Sequence, residues 1–153
     1  MLIVGIGNPD RGDDAIGPLV VRRLAGRVPP DVATVECGGD VLALIDDWAG
    51  HDAVILVDAT ASSTTPGRIH RIDPRRDELL PEPSLSSTHG FGVAEAIALA
   101  RTLDLLPRHL IIYAIEGACF EAGAPVSRAV VASINEVVTR VADEVCDLSS
   151  GTT

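Results

Sequence analysis

Three side chains stand out by type and place: Asp14, Asp58 and His89. Asp14 lies in "GIGNPDRGDDAIGP", residues 5–18, where Asp10, Asp13 and Asp14 crowd the mouth of a helix. Such a loop can cradle a phosphate, cap a helix or hold a metal. The phosphate reading fits poorly, because the third glycine of GxGxxG and the GK[ST] of a Walker loop are both missing. Aspartates at a helix start also accept backbone N–H bonds and complement the dipole. Two adjacent aspartates cannot both be the N-cap, so one of Asp13 and Asp14 is left over. Asp58 closes the apolar run "AVILVDA" at 53–59, as a turn residue or as a functional carboxylate. His89, in "SSTHGFG", is flanked by Thr88 and Gly90, where a backbone can approach a ligand. Its plainer reading is a loop or cap histidine. Two carboxylates and one imidazole form a mixed O,N donor set suited to a divalent first-row metal with open positions. They are too few to enclose an ion, which points to binding or catalysis and not to a structural site.

These residues need elements to position them. The run at 2–7 reads as a buried strand and Asp14 to about Arg27 as a helix, with Pro18 tolerated in its first turn. A strand at 32–37 leads to the turn Gly38–Gly39–Asp40, and Asp40 suits the N-cap of a helix over 41–49. The β-branched run at 53–59 is a further buried strand, and "RIHRID" at 68–73 alternates as a half-exposed one. The short connection between them predicts an antiparallel hairpin. Residues 74–88, rich in Pro and Ser, read as a long loop. A helix at 90–103, a strand at 109–115 and a helix at 127–148 capped by Ser127 complete a single domain over 1–148. The tail 149–153 is expected to be disordered. The order βαβαββαβα predicts a three-layer α/β/α sandwich, its sheet mostly parallel with one antiparallel strand. Sites in such sheets form at the carboxyl ends of strands, here residues 7–14, 37–40, 58–60 and 115–119, together with the loop before the 90–103 helix. Asp14, Asp58 and His89 all fall on that edge.

Composition narrows the classes. A chain of 153 residues with 46% hydrophobic content and mean hydropathy +0.28 can bury a core, and 3% aromatics leaves that core aliphatic. The net charge of −10 argues against a nucleic-acid partner, since the paired arginines at 22–23 and 75–76 make only short basic stretches. Cys37, Cys119 and Cys146 have neither zinc spacing nor an even count, as in a reducing compartment. The opening "MLIVGIG" lacks the basic region of a signal peptide, and no apolar run reaches membrane-spanning length. The expectation is a cytoplasmic protein with no membrane partner.

Four stretches together resemble the [NiFe]-hydrogenase maturation endopeptidases: "GIGNPDRGDDAIGP", "VECGGD", "VILVDATASSTTPGRIHRIDP" and "SSTHGFGVAEAI". The closing "YAIEGACFEAGAPVSRAV" is similar too, although it lacks the proline often found after "IE" or "IQ". The resemblance runs through most of the chain. It implies a three-layer α/β fold and a protease that removes a C-terminal extension from the hydrogenase large-subunit precursor after nickel insertion. It also implies that Asp14, Asp58 and His89 contact the nickel, which the precursor supplies, and that the protein is a monomer. On this reading the metal polarises the scissile carbonyl or activates water, and Asp58 or Asp14 acts as general base. Gly38, Gly39, Asp40, Thr88 and Gly90 would shape the substrate cleft, with the 74–88 loop closing over it. Two alternatives stand beside it: an assembly factor that grips the nickel-loaded precursor without cutting, and a peptidyl-tRNA hydrolase. The second shares a "GNP" turn, but here the first histidine is His51 and the charge is acidic.

Overall fold

The computed structural model describes residues 1–61, 65–77 and 92–151. Strand β1 (Leu2–Ile6) and strand β3 (Ala53–Thr60) are buried along their whole lengths, as apolar runs between two helical layers must be. Both pair in parallel, β1 also with β2 (Ala33–Cys37) and β3 with β5 (His109–Glu116). The short strand β4 (Ile69–Ile72) is antiparallel to β5, giving the order β2-β1-β3-β5-β4. Helices α1 (Ile16–Leu24) and α4 (Arg128–Ser150) cover one face, and α2 (Val41–Trp48) and α3 (Val93–Thr102) the other. The three-layer sandwich is as the sequence predicts.

Alternation along β3 sorts its side chains between two cores. Ile55, Val57 and Ala59 pack with α1 and α4, and Val54 and Leu56 pack with α2, α3 and the buried Trp48. Tyr113 of β5 belongs to the α1/α4 layer, where its hydroxyl donates to Glu144 at 2.7 Å. Arg71 of β4 grips the same carboxylate at 2.7 and 2.8 Å, tying the edge strand to α4.

Three expectations are corrected. The β3–β4 pair is not a hairpin: β5 lies between them, and β4 takes the edge. A strand buried at every position needs fully apolar neighbours on both sides, which β1 and β5 supply and the half-exposed β4 does not. The first helix is preceded by a 3-10 turn over Gly12–Ala15, so Asp14 lies in that turn and α1 starts at Ile16. The last helix runs into the expected tail, through Ser150. There Ser149 and Ser150 donate to the carbonyls of Val145 and Cys146 at 2.7 and 2.8 Å, within the helix itself. Among the described residues no helix is long and apolar enough to cross a membrane.

Candidate active site

The chain winds outward in opposite directions from β1 and β3, so a crevice opens between their carboxyl ends. Helix α1 enters it at unusually close range. A Cβ on Gly5 would sit 2.3 Å from the Gly17 carbonyl oxygen, and one on Gly17 would sit 2.3 Å from that of Ile6 and 2.6 Å from that of Val57. Backbone therefore packs on backbone, and only glycine permits it. Gly7, with φ of 137°, leaves no room for a side chain beside the Asp14 carbonyl. Asp14 is thereby pressed into the crevice, 2% exposed, with its Oδ2 accepting the Asn8 N–H at 2.8 Å.

Asp58 reaches the same crevice from the end of β3, on the α2/α3 side by alternation with Leu56. It is buried, and its Oδ1 accepts the Ala59 N–H at 2.8 Å. Desolvation, and then the charge of Asp14, drive its pKa well above the ordinary aspartate value of 3.8. Two carboxylates so placed share a proton or recruit a cation. Their oxygen donors suit a hard or borderline divalent ion that brings further ligands of its own. Among the described residues no group of three His, Cys, Asp or Glu is positioned to hold a metal. His89, the third expected ligand, lies outside the described residues, as do Thr88 and Gly90.

Asp13 does not cap its own helix. Its buried carboxylate accepts the N–H groups of Ala118, Cys119 and Ser127 at 2.7, 3.1 and 2.7 Å, and the Ser127 hydroxyl donates to both oxygens. Burial pushes its pKa up, but these hydrogen bonds outweigh it, and the pKa lies below the usual value. Ser127 stands at the N-cap of α4 as expected, yet its hydroxyl serves Asp13 and not the helix. Asp40 does cap α2, accepting from Leu42 and Ala43 N–H at 2.9 and 3.2 Å. Gly38 and Gly39 lie at the end of β2, and the Gly7 N–H donates to the Cys37 carbonyl at 2.9 Å, linking that turn to the crevice. Glu116 is one residue that the sequence reading passed over. It ends β5 opposite Thr60, nearly fully buried, accepting the Thr65 N–H at 2.9 Å and sharing a 3.0 Å hydrogen bond with His70. The signal was the one that marked Asp58, a carboxylate closing an apolar strand.

A family model described as hydrogenase maturation protease matches residues 18–144, a span that holds Asp58 and His89 and begins just beyond Asp14. The chain belongs to the hydrogenase maturation protease family. The hydrogenase 2 maturation protease of Escherichia coli K12 is 30% identical over 120 residues, 75% of this chain and 71% of that protein. The solved structure of the hydrogenase maturating endopeptidase HybD from E. coli superposes with a TM-score of 0.75 at 26% identity, over 92% of this chain and 88% of that one. The [NiFe] hydrogenase maturation protease HycI from Thermococcus kodakarensis gives 0.73 at 27%, over 93% and 89%. Family and fold agree with the resemblance seen in the four stretches.

Proposed function

We propose that this protein is an endopeptidase that removes the C-terminal extension of a [NiFe]-hydrogenase large-subunit precursor once nickel has been inserted. The observation that carries the reading is the meeting of Asp14, from the 3-10 turn before α1, and Asp58, from the carboxyl end of β3, in one desolvated crevice. Family membership supports the protease activity. The nickel belongs to the substrate. Desolvation and the charge of Asp14 favour the proton-bearing form of Asp58, and the cation carried by the precursor favours its carboxylate, so metal docking draws the proton off. Asp14, oriented by the Asn8 N–H, is the second carboxylate that receives the cation. His89 supplies the third, neutral ligand. With the cation docked, one aspartate takes a proton from water as the oxygen attacks the scissile carbonyl, and returns it to the leaving amine nitrogen.

The test is intact mass spectrometry of purified precursor, nickel-loaded and metal-free, after incubation with wild type or with Asp58→Ala. Trimming confined to the nickel-loaded precursor and to wild type is the expected result. Trimming by Asp58→Ala removes the crevice from the chemistry. A stable complex with no trimming by wild type makes the protein an assembly factor.

A further inference from the structure

At the opposite edge of the sheet from Asp58, about 20 Å away along strands of 3.3 Å per residue, lies a corner of different character. Two adjoining pockets of about 350 and 300 Å³ share Arg75. Arg101 and Asp104 line the first, and Asp73, Arg76, Arg108 and His109 the second, where Arg76 lies 3.7 Å from the Asp73 carboxylate. Arg75 donates to the Pro107 carbonyl from Nε and Nη2 at 3.3 and 2.8 Å, and Arg101 donates to the Pro74 carbonyl at 3.2 Å. Arg75 thus braces the turn after β4 against the turn before β5, and Arg101 ties α3 to the first of these turns, both guanidiniums bonding neutral carbonyls. None of Arg75, Arg101 and Arg108 forms an ion pair with a described residue. In a chain of net charge −10, three arginines held together with no ion pair among the described residues, beside only Asp73 and Asp104, are a recognition feature.

The same corner exposes apolar surface. Leu103 and Leu105 are 54% and 47% exposed, on either side of Asp104, whose φ of 57° is rare outside glycine. The left-handed residue turns the chain out of α3, and the Leu105 N–H closes the helix on the Ala100 carbonyl at 2.8 Å. The one ring in the lining of the two pockets is His109, no Phe, Tyr or Trp among the described residues joins it, and a chain of net charge −10 repels a polyanion, so a nucleic acid is disfavoured. A free phosphate would have no use for the leucines. Arginine forks beside exposed leucines match a peptide in which carboxylates alternate with apolar side chains.

We propose that Arg75, Arg101 and Arg108 form a docking site for an acidic, leucine-bearing segment of a protein partner. The site is separate from the crevice, and its existence does not depend on the cleavage chemistry proposed there. Asp104 sets the strength of docking, since its carboxylate competes with the incoming ones.

Fluorescence anisotropy with a labelled peptide of leucines interspersed with glutamates tests this, against the same peptide with glutamine for glutamate. The glutamate peptide should bind about tenfold more tightly than the glutamine one, as one lost charge-assisted contact implies. Arg101→Gln with Arg108→Gln should lower affinity by about tenfold or more, and Asp104→Asn should raise it. Arg108 is exposed and makes no hydrogen bond to a described residue, so Arg108→Glu alone keeps the test alive if the double variant misfolds. Equal binding of the two peptides, no binding at all, or unchanged affinity in a folded arginine variant overturns the proposal. Displacement by inorganic phosphate or by an oligonucleotide at concentrations equal to the peptide's also overturns it, in favour of a phosphate ligand.

Discussion

Asp13 and Asp14 are chemically identical neighbours with different tasks. One holds the loop after β5 and the start of α4, and the other faces the crevice. The sequence shows two aspartates at a helix mouth and a rule that only one can cap. It does not show that Asp13's partners lie more than a hundred residues away, so the tertiary tie replaced the local cap. Replacing Asp13 by alanine strands three backbone donors in a buried site. The expected loss is about 3 kcal/mol, read as a drop in the urea midpoint, with Asp13→Asn intermediate because one acceptor remains. Asp58 was legible for a different reason. A carboxylate that closes a wholly apolar strand has been carried to the sheet edge by its neighbours. Glu116 obeys the same rule and was overlooked only because no second motif drew attention to it.

At the level of elements, periodicity and turn chemistry located each strand and α-helix among the described residues to within a few residues, and missed the 3-10 turn before α1. Pairing was harder. Closeness in sequence favours a β3–β4 hairpin, but burial decides the order, and the alternating strand is expelled to the edge. The contact between Gly5 and Gly17 was not legible at all, since glycines in a strand and a helix are usually read as weaknesses and here they are what lets α1 descend. Gly17→Ala should therefore cost about 3 kcal/mol of stability and also displace Asp14. A thermal melt and the cleavage assay together check this: both should fall, whereas a substitution that only loosens the core leaves the folded fraction active.

For the whole molecule, the carboxylates pull stability in opposite directions with pH. Asp13 and Glu144 have pKa values below the ordinary 3.8 and 4.5, so their contribution is complete above those values and is lost as pH falls through the lowered ones. Glu144 owes its shift first to Arg71, with burial opposing. Asp58 works the other way. Above pH 3.8 the unfolded chain has released a proton that the folded one still holds, so stability declines as pH rises toward Asp58's raised pKa. The urea midpoint should climb from strongly acid pH, pass a maximum and then fall. Asp58→Asn should remove the falling limb, making the variant more stable than wild type at neutral pH although inactive. A falling limb that persists in Asp58→Asn would assign it to general repulsion among the excess negative charges.

The division of the two cores has an optical consequence. The chain has one tryptophan and one tyrosine. Trp48 is sealed in the α2/α3 layer, on the side of the sheet that Asp58 faces, and Tyr113 lies in the α1/α4 layer bonded to Glu144. Each layer therefore carries its own chromophore, and light can follow the two halves of the sandwich separately without any label.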